Sequence, residues 1–276
     1  MPLKLLSTRP FGHLILALSA ACLLAACASG PKDETTTWSN ERLYKEATDE
    51  SEAGSYERAG KLYEKLEGRA AGTVLSQQAE INRAWVLYKQ GEKAQSLSNL
   101  ERFIKLHPTS PAIDYALYLQ GVVNFNDNLG FLSMLSRQDL SERDQQASRD
   151  AYQSFKQLVD QYPKSRYAED AQIRMNYIVN SLANYEVHVA RYYYRRGAYV
   201  AAANRAQRTV TEFQTSPAAE EALSILARSY DRLGMTQLRD DAQRVLKSSF
   251  PNSGYLADSG SNASLEYKKK PWWQLW

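Results

Sequence analysis

Apolar residues along most of this chain recur at three- and four-residue spacing, and sustained alternation of β-branched residues with turn pairs is absent. That periodicity predicts helices and no strands. Four short stretches interrupt it in similar ways: "LHPTSP" from 106, "QYPKSR" from 161, "EFQTSP" from 212 and "SFPNSG" from 249. Each follows an apolar run and places a serine where a helix N-cap belongs. After Ser110 and Ser216 the next residue is proline, favoured in the first helical turn. These stretches therefore read as joints between helices.

Intervals between the joints reveal a repeat. Pro108, Gln214 and Pro251 each lie 17 residues after a glycine, namely Gly91, Gly197 and Gly234. A turn glycine, a helix and a terminal breaker at that distance form the second helix of a tetratricopeptide unit. Inside it a small residue precedes an aromatic by four, as in Ala59 and Tyr63 or Ala151 and Phe155, with Ala202 and Ala206 as a smaller version. Ala79, Ala116, Ala171 and Ala222 align as one column of the first helices, separated by 37, 55 and 51 residues. The second separation exceeds the first by 18 residues around "NLGFLSMLSRQDLSERD", and the third by 14 in "NYEVHVARYYYRRG". Fourteen residues are close to four helical turns, so the fourth unit's first helix can lengthen without rotating its apolar face. A degenerate first unit keeps Gly54, Tyr56, Ala59 and Tyr63. The expected fold is an all-α solenoid of about five tetratricopeptide helix pairs over 41–253, each burying its face on the next.

The amino terminus follows another rule. Lys4, Arg9 and His13 precede an apolar run from Leu14 to Ala26, after which the chain turns polar at once. A basic start, an apolar core and small residues at a cleavage point make residues 1–26 a signal peptide. The run is shorter than the roughly 20 apolar residues a membrane span needs. Leu24, Ala25, Ala26 and Cys27 resemble the bacterial lipobox, which marks Cys27 as the lipidated first residue of the mature chain; Cys22 has Ser19 at the leucine position and fits less well. Ala28 stands where an aspartate would retain a lipoprotein in the inner membrane, so the resemblance implies the outer membrane, facing the periplasm. Residues 27–40 then read as a lipidated tether.

Composition narrows the function. The chain has 34 basic and 31 acidic residues, two of the basic ones in the leader, so the mature protein is nearly neutral and no nucleic-acid partner is expected. Beyond Cys27 no cysteine remains for disulfides or metal. His107 sits at a helix end and His188 stands alone on a helix, and no nucleophile is paired with a base by any recognisable motif. No cofactor or metal is implied, and the chain reads as a binding protein rather than an enzyme.

The arrangement as a whole resembles the BamD family, the lipoprotein subunit of the β-barrel assembly machine. "LAAC", "RFIKLHPTSPAIDYALYLQG", "YPKSRYAEDA" and "VARYYYRRGAYVAAANRA" carry the resemblance, which covers roughly 27 to 253. It implies a scaffold that binds the barrel-forming subunit, other lipoproteins of the complex and unfolded outer-membrane proteins. A tetratricopeptide lipoprotein that organises cell-wall enzymes is the alternative.

Candidate binding residues fall in two sets. In tetratricopeptide proteins the first helices line a groove, and counting from Ala47, Ala84 and Gly121 places Tyr44, Trp85, Tyr88, Tyr115, Tyr118, Val122 and Phe125 there. Such rings offer stacking faces and a polar handle for extended segments. Arg191, Arg195, Arg196 and Arg205 form the second set, on the lengthened helix and the one after it, suited to an acidic partner. By resemblance "NRA" aligns with the docking helix, and Arg205 is expected at the surface, where reversing its charge would leave stability unchanged. The tail "YKKKPWWQLW", within 254–276, holds three of the five tryptophans and suits a membrane interface or a partner groove.

Overall fold

The computed structural model describes residues 34–125 and 142–256. The stretch expected to be a signal peptide, Cys27, most of the long insertion of the third unit and the Lys/Trp tail lie outside the described residues. Among those described there are ten α-helices and no strand. They are α1 (Asn40–Glu52), α2 (Tyr56–Arg69), α3 (Val74–Lys89), α4 (Lys93–Leu106), α5 (Ile113–Asn124), α6 (Glu142–Gln161), α7 (Ala168–Arg195), α8 (Tyr199–Glu212), α9 (Ala218–Arg232) and α10 (Thr236–Ser249). A 3₁₀ turn, Glu34–Thr37, precedes them. None of these helices is long and apolar enough to cross a membrane.

Four pairs turn by the same device. Gly54, Gly91, Gly197 and Gly234 have φ of 73–85°, the left-handed region open to glycine without a Cβ penalty. Each glycine N–H bonds the carbonyl three residues back, and the next N–H reaches five back, as in Gly91 to Tyr88 and Glu92 to Leu87. That pattern closes the last turn of one helix and starts the next. The helices launched, α2, α4, α8 and α10, are all 14 residues long.

The joints form a second recurring device. Ser110, Ser165 and Ser216 each donate their backbone N–H to the carbonyl three residues back and accept a later N–H at their own carbonyl. Each side-chain oxygen also takes the N–H two residues on. The serines read from sequence as N-caps thus stabilise the turn before α5, α7 and α9.

Two compact units divide within α3, at Ala79. In the first, α1 and α2 bury Leu43, Ala47, Ala59, Leu62, Tyr63 and Leu66. Arg69 donates from Nη2 to the Thr35 carbonyl at 2.7 Å, and Lys65 Nζ to Thr35 Oγ1 at 3.2 Å. The chain is thus held against α2 at Thr35, inside the stretch read as a tether.

In the second unit one continuous core runs from Ile81 to Ala242. The lengthened helix α7 spans 28 residues. Its buried positions, Ala171, Met175, Ile178, Leu182, Ala183, Glu186, Val187, Ala190 and Tyr194, keep one stripe throughout, so the 14-residue insertion leaves the buried face in register. Phe155, fully buried, packs its ring on Gly121, where a Cβ would lie 2.4 Å from the ring. The stretch read as the third unit's insertion runs into α6, which includes Glu142–Asp144. Packing also continues past 253, with Tyr255 and Leu256 partly buried.

Candidate functional site

The first-helix aromatics are not bare rings. Tyr44 is half-buried, edge-on to Tyr63 with centroids 6.1 Å apart. Trp85 and Tyr88 on α3 contact each other at 5.8 Å, and Lys89 sits 5.3 Å over the indole. Tyr115, Tyr118 and Phe125 join a larger cluster whose other rings come from α6, α7 and the joint before α7. Tyr167 lies 5.3 Å from Tyr115 and stacks on Tyr118 at 4.8 Å with 20° between planes. Phe125 meets Phe155 at 6.4 Å and Tyr177 at 5.8 Å. Each of these groove residues is half-buried, so it contributes to packing and presents part of its surface. Val122 is likewise half-buried against the same core.

A polar centre sits at the edge of these rings. Tyr118 donates its hydroxyl to Asp170 Oδ2 at 2.7 Å, and Arg174 Nε donates to the same oxygen at 2.6 Å. Arg174 also lies 5.2 Å over Phe125. Burial raises the Asp170 pKa, but the Arg174 and Tyr118 hydrogen bonds outweigh it and hold the carboxyl below its ordinary value. Burial, then the bond to Asp170, pushes Tyr118 up, and burial pushes Tyr115 up to about 12. A tyrosine face with an anion and a cation at its rim can hold an extended segment by stacking while its polar groups find partners. Sequence reasoning missed Tyr167, Asp170 and Arg174. "YPKSRYAEDA" contains the first two, and their position just after a joint was the available signal.

The four arginines separate into two kinds. Arg191 donates from Nε to Glu221 Oε1 at 2.7 Å, both side chains largely buried, and so ties α7 to α9. Arg205 donates from Nη1 to both oxygens of Glu186, the nearer at 3.1 Å. Arg208 reaches the same carboxylate at 3.1 Å, and the Glu186 side chain is only 2% exposed. Arg205, about a third exposed, therefore compensates a buried charge on α7 instead of making a solvated surface pair. Its charge cannot be reversed without a cost to the fold. Glu186 is readable in retrospect as an acid four residues after Leu182, inside the apolar stripe of α7. Arg195 and Arg196 are exposed at the end of α7, and Arg196 stacks 5.2 Å over Tyr192.

His107 is a helix-end residue, its ring 5.1 Å from Phe103 and its Nε2 3.5 Å from Glu80 Oε2. Glu80 also accepts from Arg102 at 2.8 Å. His188 is exposed on α7.

Comparison with known proteins then places the chain. Residues 37–246 match the family described as "YfiO: Outer membrane lipoprotein". An outer membrane protein assembly factor BamD of Neisseria meningitidis serogroup A is 44% identical over 95% of this chain and 98% of its own length. BamD of Xylella fastidiosa is 34% identical over 90% and 85%, and BamD of Vibrio cholerae 33% identical over 83% and 95%. Among solved structures the MamA protein is 16% identical, with a TM-score of 0.36 over 84% of this chain and 98% of its own. The chain belongs to the YfiO family of outer membrane lipoproteins, whose curated relatives carry the name outer membrane protein assembly factor BamD.

Proposed function

We propose that this chain is a scaffold, not an enzyme, that helps assemble and insert β-barrel proteins into the outer membrane. The carrying observation is the 44% identity to a named assembly factor over 95% of the chain. In this reading Cys27 bears the acyl chains, and more than one is needed because a single chain holds a protein only marginally. Replacing Cys27 with serine and fractionating cells tests the anchor. Mature-size protein still retained in the outer membrane would refute it.

Substrate segments that are extended and rich in aromatics suit the Tyr115–Tyr118–Tyr167 cluster. Arg195 and Arg196 are the better surface candidates for docking the barrel-forming subunit, since Arg191 and Arg205 already hold internal carboxylates. Depleting the protein and measuring folded outer-membrane proteins in the membrane tests the function. Unchanged levels would overturn it, and co-purification with cell-wall enzymes alone would favour the alternative scaffold.

A further inference from the structure

The residue before the small-residue column of the first helices differs from unit to unit. Tyr115 precedes Ala116, Asp170 precedes Ala171 and Glu221 precedes Ala222. Glu221 is closed off, since Arg191 donates to it at 2.7 Å and both side chains are largely buried. Asp170 is not. Tyr118 and Arg174 both donate to its Oδ2, while its Oδ1 takes no hydrogen bond among the described residues and the side chain is 47% exposed. A carboxylate accepts at both oxygens, so half of its capacity is open to a donor from outside.

The neighbours decide which donor fits. Arg174 already balances the charge at 2.6 Å, so an incoming lysine or arginine meets its repulsion. A neutral N–H meets none, and its bond to an ionised acceptor is about twice as strong as one between neutral groups. The Tyr118 hydroxyl joins the carboxylate directly to the Tyr118–Tyr167 stack, whose ring centroids are 4.8 Å apart. One aromatic residue can therefore engage both, its ring against the stack and its own main-chain N–H at Oδ1.

Building on the proposed binding of extended segments at these rings, we infer that Asp170 fixes the bound segment in register: its Oδ1 accepts the main-chain N–H of an aromatic residue in a strand that has not yet found its partner. An unpaired strand presents a row of free N–H groups. In a closed barrel the neighbouring strands engage them all. The contact thus reads whether a strand is paired and little of its sequence, which suits a scaffold that receives many different barrels. Pairing of the strand withdraws the N–H and releases the segment.

Backbone N-methylation tests this directly. The probe is a fluorescein-labelled peptide of threonine and serine around one central phenylalanine, and its binding to the full chain in detergent is read by fluorescence anisotropy. Methylating the phenylalanine nitrogen should weaken binding to the wild type about tenfold or more. In Asp170→Ala the methylated and unmethylated peptides should bind about equally. Asp170→Asn keeps the side-chain shape and serves should the alanine variant fail to fold; its penalty should be several-fold smaller than that of the wild type. Equal penalties in the wild type and in the Asp170 variants overturn the inference and leave binding at the rings in place. Failure of the unmethylated peptide to bind the wild type overturns both.

Discussion

Reversing the charge of Arg205 has a consequence that the surface reading misses. Glu186 is 2% exposed and its carboxylate is held by Arg205 and Arg208. Arg205→Ala removes one of two charged donors, and a hydrogen bond to a charged group is worth about 1.5–3 kcal/mol. Arg205→Glu goes further, because it sets a second carboxylate beside the first. At about 4 Å and an effective dielectric near 20, two like charges repel by about 4 kcal/mol. Movement of the new side chain toward solvent relieves part of this, since the Arg205 side chain is 34% exposed. The net expectation is a loss of about 3–4 kcal/mol, with Arg208 keeping Glu186 from being orphaned. In a domain of this size that lowers the melting temperature by roughly 6–16 °C. Circular dichroism melts of Arg205→Glu, Glu186→Gln and the double variant measure it. Removing the carboxylate should remove the repulsion, so the double variant should melt above Arg205→Glu. Additivity within about 0.5 kcal/mol, or an Arg205→Glu melt at the wild-type temperature, would refute the reasoning. A pull-down with Arg205→Glu alone therefore confounds folding with docking, and Arg195→Glu with Arg196→Glu is the cleaner test. Both residues are exposed, so partner release without a change in melting temperature is expected.

Gly121→Ala should cost about 1–3 kcal/mol by overpacking, because its Cβ would collide with the buried Phe155 ring; an unchanged melt would show that the helices separate freely. Tyr115 is raised to about 12 by burial, so its contribution to stability is intact below the unfolded value near 10 and falls as pH rises from there toward 12. Tyr115→Phe should flatten that alkaline decline, and a phenolate absorbance titration should show a late-ionising tyrosine that the variant lacks. Asp170 is depressed, so its contribution is present above an unfolded value near 3.9 and is lost as pH falls through the folded value. Asp170→Asn should weaken that acid-side loss, and equal acid slopes for the two proteins would remove Asp170 from the account. Trp85→Ala with Tyr115→Ala should reduce crosslinking to extended outer-membrane segments while helix content by circular dichroism is kept; undiminished crosslinking would mean these rings serve packing alone.

The repeat was legible in the sequence because its signals are local. A left-handed turn admits glycine with little competition, so Gly54, Gly91, Gly197 and Gly234 announce the turns. A serine that caps a joint does so with its own backbone and hydroxyl, so Ser110, Ser165 and Ser216 could be found without a partner. The 28 residues of α7 follow the same logic, since a 14-residue insertion preserves the phase of an apolar stripe. The partners of a charge are a different matter. Arg205 and Glu186 are 19 residues apart, and which acid Arg205 meets depends on how α7 and α8 cross. Tyr118 and Asp170 are 52 residues apart, brought together only when α5 packs beside α7. Helical periodicity states that a face is apolar, whereas Coulomb and hydrogen-bond energies depend on ångström distances between faces. Those distances exist only after the helices pack, and they decided which arginines brace the fold and which remain for a partner.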